Sequence, residues 1–162
     1  MLIQTPKIVE VSAQLVAVIR LTIPRSEIRS VMGPAIGEVM AAAHRAQDIG
    51  PAGPLFAHHF QIDPETFDFE VGVPVGRAGR RVGRVEAGEL PACTVAQALY
   101  RGDYERLGEA WRELDRWIEA NGHTPAEDRW EVYIAGPGSS PSPAHWITEL
   151  NRPLLGYSAA TS

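Results

Sequence analysis

Residues 88–137 read GELPACTVAQALYRGDYERLGEAWRELDRWIEANGHTPAEDRWEVYIAGP, and the order of elements in this stretch decides the fold. Thr94–Tyr100 reads as a strand. Asp103 is placed to cap a helix and Asn121-Gly122 to end it. Between them Tyr104, Leu107, Trp111, Leu114, Trp117 and Ile118 form one apolar stripe at helical spacing. Arg129–Ala135 is a second strand. The turn-rich run GPGSSPSP follows, and then a third strand over His145–Asn151.

The same order occurs upstream. Val16-Ala17 returns as Val95-Ala96, and Glu70-Val71-x-x-Pro74-Val75 as Glu149-Leu150-x-x-Pro153-Leu154, both after 79 residues. Phe56–Phe60 falls over Trp130–Ile134 at an offset of 74, because the copies differ in helix and loop length. A fixed internal period is the mark of a repeated unit. The first copy offers strands at Gln14–Thr22, Leu55–Gln61 and Phe67–Pro74, the last with apolar and polar residues alternating. Ser26–Asp48 has helical spacing, but Gly33-Pro34 should divide it into two pieces, because proline lacks the N–H and clashes with the preceding turn. Lys7–Val11 should add a further strand to a sheet. The linker GRAGRRVGR carries Arg77, Arg80, Arg81 and Arg84. Such a cluster can grip phosphate, but a short charge run reads first as a solvated hairpin loop.

The expected fold is therefore α+β, in tandem β-α-β-β modules over about residues 7–76 and 88–155 of a single domain, 1–155. The modules are expected to be duplicated and related by a pseudo-twofold. Antiparallel sheets would carry helices on one side and leave a ligand cleft between the modules, where sites between units tend to form. Residues 156–162 read as a flexible tail.

Composition narrows the function. At 162 residues the chain is about one domain at roughly 150 residues each. A net charge of −5, with 15 basic against 20 acidic residues, argues against a nucleic-acid partner. One cysteine rules out a disulfide framework or a cysteine-based zinc site. His58 and His59 are adjacent on a strand, point to opposite faces and cannot chelate one metal together, so no metal and no cofactor is expected. No signal peptide and no membrane-length apolar run is visible, so a cytoplasmic protein is expected.

Glu131 stands out. Alternation puts Trp130, Val132 and Ile134 on one face of their strand and Glu131, Tyr133 and Ala135 on the other. A carboxylate in so apolar a strand must be exposed, paired with an arginine or waiting for a ligand. The first copy has Ala57 at this position. Aromatic walls suit planar or cationic ligands, and Phe56, Tyr104, Trp111, Tyr133 and Trp146 are the supply, though each could equally pack a core. His59 aligns with Tyr133 and is the better pocket candidate of the histidine pair.

With these residues in place, the chain resembles the GyrI-like small-molecule-binding domains, the effector-binding domains of AraC-type and BmrR-type regulators. The resemblance covers about residues 7–155. It is carried by the L-P-A, R-G-x-Y-E-x-L and W-E-V-Y elements of the second copy and by FDFEVGVPVG in the first. It implies a duplicated module and a pocket glutamate among aromatics, here Glu131, with Tyr104 and Tyr133 as further contacts. Tyr100 stands where a histidine is frequent, and Ala135-Gly136-Pro137 lacks the acidic residue that often precedes the proline. The two repeats leave no room for a helix-turn-helix, so a stand-alone member is expected.

Three functions fit. The first is binding of a hydrophobic or cationic small molecule, to sense or sequester it, with ligand contacts from Glu131, Tyr133, Tyr104, Trp111, Phe56, His59 and Trp146. The second, implied by the resemblance, is hydrolysis of cyclopropane-containing DNA-alkylating compounds, with Glu131 and Tyr133 as catalytic residues. The third is a protein-interaction role such as gyrase inhibition. Partners expected are that small ligand and, at most, a second copy of the chain, with neither nucleic acid nor membrane.

Overall fold

The computed structural model describes residues 2–45, 51–137 and 140–156. In chain order the elements are β1 (Lys7–Val11), β2 (Gln14–Pro24), α1 (Ile28–Arg45), β3 (Phe56–Ile62), β4 (Thr66–Pro74), β5 (Glu86–Leu90), β6 (Cys93–Arg101), α2 (Leu107–Ala120), β7 (Arg129–Ala135) and β8 (Ile147–Pro153). They gather into two compact units. The first spans Ala13–Pro91, and the second joins Met1–Ser12 to Ala92–Ser162. The ladders described within each unit are antiparallel and each sheet carries one helix, so the class is α+β.

In the first unit the antiparallel order is β3-β4-β2-β5. β2 is long, β-branched and paired on both sides, and Val16, Val18 and Ile19 on it are buried. α1 packs on β2 and β4 through Ala35, Val39, Ala42 and Ala43. It is one continuous helix, not the two pieces expected from Gly33-Pro34. Pro34 gives up the bond to the Ser30 carbonyl, but both residues lie on the exposed side, where water replaces the lost donor. The buried stripe runs on beneath them. The expected helix end at Asp48 lies outside the described residues, as do residues 157–162 of the expected tail.

In the second unit the order is β1-β6-β8-β7. α2 covers β6 and buries Ala110, Trp111, Leu114 and Ile118 in a core with Ala96, Ala98, Tyr100, Leu150 and Leu154. The sequence sets both ends of this helix. The Asp103 side chain, on an extended residue, accepts from the Glu105 and Arg106 N–H groups at 3.1 and 3.3 Å and caps the turn Tyr104–Arg106 that opens the helix. At the other end Gly122 adopts φ +77°, its N–H bonds the Glu119 carbonyl and the His123 N–H bonds the Ile118 carbonyl. This pattern satisfies the last carbonyls and favours glycine.

The ladders follow the offsets of the sequence. Val16↔Pro74 in the first unit corresponds to Val95↔Pro153 in the second, 79 residues on. Register shifts at Phe60, between His59 and Gln61, in the first unit and at Ile134, between Tyr133 and Ala135, in the second. The first strands are exchanged: β1 joins β6, and β5 joins β2.

β5 lies where no strand was expected, since Glu-Ala-Gly-Glu-Leu has little strand propensity. Gly88 explains its seat, because a Cβ there would stand 3.2 Å from Val18 and 3.3 Å from Val16. Ahead of β5 the arginine linker closes as a turn. Val82 and Val85 exchange backbone bonds, Gly83 takes φ +60°, and Arg84 pairs with Glu38 of α1 at 2.9 Å. β8 begins two residues later than expected, because Pro143–His145 forms a short 3-10 turn. No described helix is long and apolar enough to cross a membrane.

Candidate functional site

Glu131 sits on β7 opposite Leu150 of β8, on the side of the second unit covered by α2. It is 6% exposed, so it is not a solvated edge-strand glutamate. Burying a carboxylate costs several kcal/mol unless its oxygens are bonded. Both are. The Trp111 Nε1–H donates to Oε1 at 2.8 Å, and the Tyr133 hydroxyl donates to Oε2 at 2.8 Å. Trp111 reaches Glu131 because the helix stripe places its ring in the core. It is a core residue with a single polar edge turned to the site. The Arg129 guanidinium stands 4.5 Å from the centre of the Trp111 ring. A cation over the indole face is favourable and polarises the N–H toward its acceptor.

Tyr133 is two residues along β7 and shares the Glu131 face. Burial pushes its hydroxyl well above the ordinary tyrosine range, and the Glu131 charge and hydrogen bond push it the same way. It therefore keeps its proton and acts as a donor. Tyr104, in the turn before α2, meets the Tyr133 ring edge-on with centroids 5.8 Å apart. Its hydroxyl is also raised, first by burial and then by Glu131. On its other side the Trp146 ring lies 5.0 Å away. Trp146 is fixed by its Nε1–H, which donates to the Ser140 carbonyl at 2.9 Å. Gly136 makes room for Tyr104, since a Cβ there would come within 2.8 Å of the tyrosine oxygen.

Exposure rises outward along this chain, from Trp111 at 1% through Glu131 to Tyr104 at 37%. The second unit thus brings together Glu131, Tyr133, Tyr104, Trp111 and Trp146. Phe56 and His59 belong to β3 of the first unit. Phe56 is buried opposite Gly72, and His59 stacks on Phe69 at 5.1 Å and meets Phe67 at 5.3 Å. Ala57, the counterpart of Glu131, faces Val71.

Two neighbours escaped the sequence reading. Arg129 is two residues before Glu131 on the same strand, and that alternation was the available signal. Thr148 of β8 is opposite Tyr133, fully buried, and its hydroxyl makes no hydrogen bond among the described residues. Its position two residues before Leu150 placed it on this face.

The fold has close structural relatives. The chain matches the C-terminal domain of EcmrR with a TM-score of 0.83 and 24% identity, over 95% of this chain and 98% of that one. EcmrR in its DNA complex matches at TM-score 0.82 and 25% identity over 95% of this chain, which spans 58% of the EcmrR chain. SAV2435, solved with bound tetraphenylphosphonium, matches at TM-score 0.70 and 13% identity over 94% of this chain and 95% of that one. A hydrolase of Listeria innocua matches at TM-score 0.63 and 11% identity over 92% and 91%. No curated protein matches the chain significantly in sequence. With residues 4–154 matching the GyrI-like small molecule binding domain, the chain belongs to that family.

Proposed function

We propose that the second unit binds a hydrophobic cation, with Glu131 as its counter-charge, and that the protein senses or sequesters such compounds. One observation carries this reading: both Glu131 oxygens are held by neutral donors, an indole N–H and a phenol O–H. Neutral donors fix the carboxylate without cancelling its charge, so a cation brought into the aromatic surround gains both Coulomb attraction and ring contact. Tyr133, Tyr104 and Trp146 supply the rings. The bound phosphonium of SAV2435 supports the class of ligand. We read the two units as copies of one β-α-β-β module, the second of which acquired the carboxylate.

Tetraphenylphosphonium titrated against tryptophan fluorescence tests the reading. Glu131→Gln keeps the shape and removes the charge, and should weaken binding about 10- to 100-fold, as loss of a desolvated charge contact of about 1.5–3 kcal/mol implies. Equal affinity in both proteins would refute the role of Glu131.

A second reading has its own observation, the hydrogen bond from Tyr133 to Glu131. A carboxylate beside a protonated phenol is the pair a strained-ring hydrolase needs. The carboxylate takes a proton from water as its oxygen bonds to the ring carbon. The ring C–C bond breaks toward a conjugated carbonyl, whose oxygen the phenol protonates. A cyclopropane electrophile recovered one water heavier would establish this chemistry, and recovery unchanged would leave binding alone.

A further inference from the structure

We propose that Thr148 is a polar contact of the Glu131 site, held without an internal partner for a ligand that carries a hydrogen-bonding group beside its cationic body. The inference rests on reading Glu131 as the ligand's anchor. Thr148 lies on β8 between Tyr100 of β6 and Tyr133 of β7, in register with both. Directly opposed residues share one face of a sheet, with Cβ atoms about 4.5–5.5 Å apart. That face is the one α2 covers. The residue is 0% exposed, and its Oγ1 has no hydrogen-bond partner among the described residues.

The neighbouring hydroxyls do not serve it. Tyr100 donates to the Asp103 carbonyl at 2.7 Å, and Tyr133 donates to Glu131. A buried hydroxyl with no partner costs stability, and valine would fill the same volume without that cost.

The first unit shows what the fold does when packing alone decides. The ladder that reads Tyr100–Thr148–Tyr133 in the second unit reads Leu21–Phe69–His59 in the first. There the central residue is a phenyl ring, fully buried and stacked on His59. The second unit instead has a smaller side chain with an unspent hydroxyl, flanked by two phenols and diagonal to Glu131. One idle hydrogen-bonding group diagonal to a buried carboxylate describes a contact for a ligand. The fitting ligand is a cation whose apolar body bears a hydroxyl, carbonyl or similar group.

The test uses two matched cations, tetraphenylphosphonium and (4-hydroxyphenyl)triphenylphosphonium, with wild type, Thr148→Val and Thr148→Ser. Wild type should bind the hydroxylated cation more tightly. Thr148→Val should lose about 3- to 10-fold in affinity for that cation, the worth of one neutral hydrogen bond, and under twofold for the plain one. Thr148→Ser should keep the preference. Thr148→Val should also melt at a higher temperature than wild type, since it removes an unpaired polar group. A lower melting temperature, or equal losses for both cations, would make the hydroxyl structural, as would be so if it held a trapped water. Wild type binding both cations equally would overturn the proposal while leaving the Glu131 anchor intact. Wild type binding neither would overturn the anchor and this contact with it.

Discussion

The two units share strand order, register and the position of their register shift, and differ in what they put under the helix. The first packs Ala57 against Val71, stacks His59 on Phe69, and covers this face with a helix whose buried residues, among those described, are alanines and one valine. The second puts Glu131 against Leu150, flanks Thr148 with two tyrosines, and covers them with a helix that inserts Trp111. One unit therefore packs an apolar core under its helix, and the other a bonded carboxylate. The lesson is that the carboxylate is tolerated because of its donors, not because of the strand that carries it.

Giving the first unit a glutamate should destabilise it severely. Ala57→Glu places a carboxylate at a position 1% exposed, opposite valine. The Glu131 site has an indole N–H and a phenol O–H, whereas here the described buried residues of α1 are apolar and the His59 ring is stacked on Phe69. An uncompensated buried charge costs about 3–5 kcal/mol. Burial would raise the carboxyl above its unfolded value, so the penalty is full at neutral pH and eases as pH falls through the raised value. Urea unfolding at pH 7 and pH 5 checks both parts. A variant as stable as wild type at pH 7 would mean that the fold, and not the donors, accommodates the charge.

A smaller effect isolates the second unit. All four tyrosines of the chain, Tyr100, Tyr104, Tyr133 and Tyr157, follow residue 92. Burial raises Tyr133 well above its ordinary value, with Glu131 adding to the shift. Below about pH 10 the folded and unfolded chains both hold this proton. Above it the unfolded chain releases the proton and the folded chain does not, so stability falls by about 1.4 kcal/mol per pH unit for this group. Tyr133→Phe should remove that increment from the alkaline slope of the urea midpoint. It should also cost about 1–3 kcal/mol at pH 7, because Oε2 of Glu131 loses its donor. An unchanged alkaline slope would mean that Tyr133 ionises freely in the folded state.

How much of this was legible in the sequence follows from the range of each interaction. The caps of α2 were legible, because Asp103 and Asn121-Gly122 act within four residues of themselves. The clustering of Glu131 with Tyr133 was legible, because alternation along one strand puts them on one face. The strand exchange was not, since nothing in Lys7–Val11 or Glu86–Leu90 records which partner strand will accept it. β5 was hidden by its glutamates and glycine, whose fit depends on Val16 and Val18 some 70 residues away. The continuity of α1 through Pro34 was hidden for a related reason. Local clash rules price the proline, but the buried stripe from Ala35 to Ala43 outweighs it. Thr148 needed the ladder, because its meaning comes from Tyr100 and Tyr133 on either side.

The smallest effect lies on the opposite, helix-free face of the first unit, where charge is handled differently. Arg20 meets Asp68 through two bonds of 2.8 and 2.9 Å, Thr22 adds a third, and the guanidinium lies 4.1 Å from the Phe60 ring centre. Asp68 is held below its ordinary value, chiefly by the Arg20 hydrogen bond. Its contribution is therefore present above the unfolded carboxyl value and lost as pH falls through the lowered one. The arginine side chain is 51% exposed, so solvent screens the pair and its worth is about 0.2–1 kcal/mol. Asp68→Asn should lower the unfolding free energy from urea titration by no more than that, and 1 M salt should erase most of the difference. Glu131, which meets its partners away from water, should show no comparable salt dependence. A large, salt-insensitive loss in Asp68→Asn would mean that the two faces handle charge by the same means, and that burial is not what separates them.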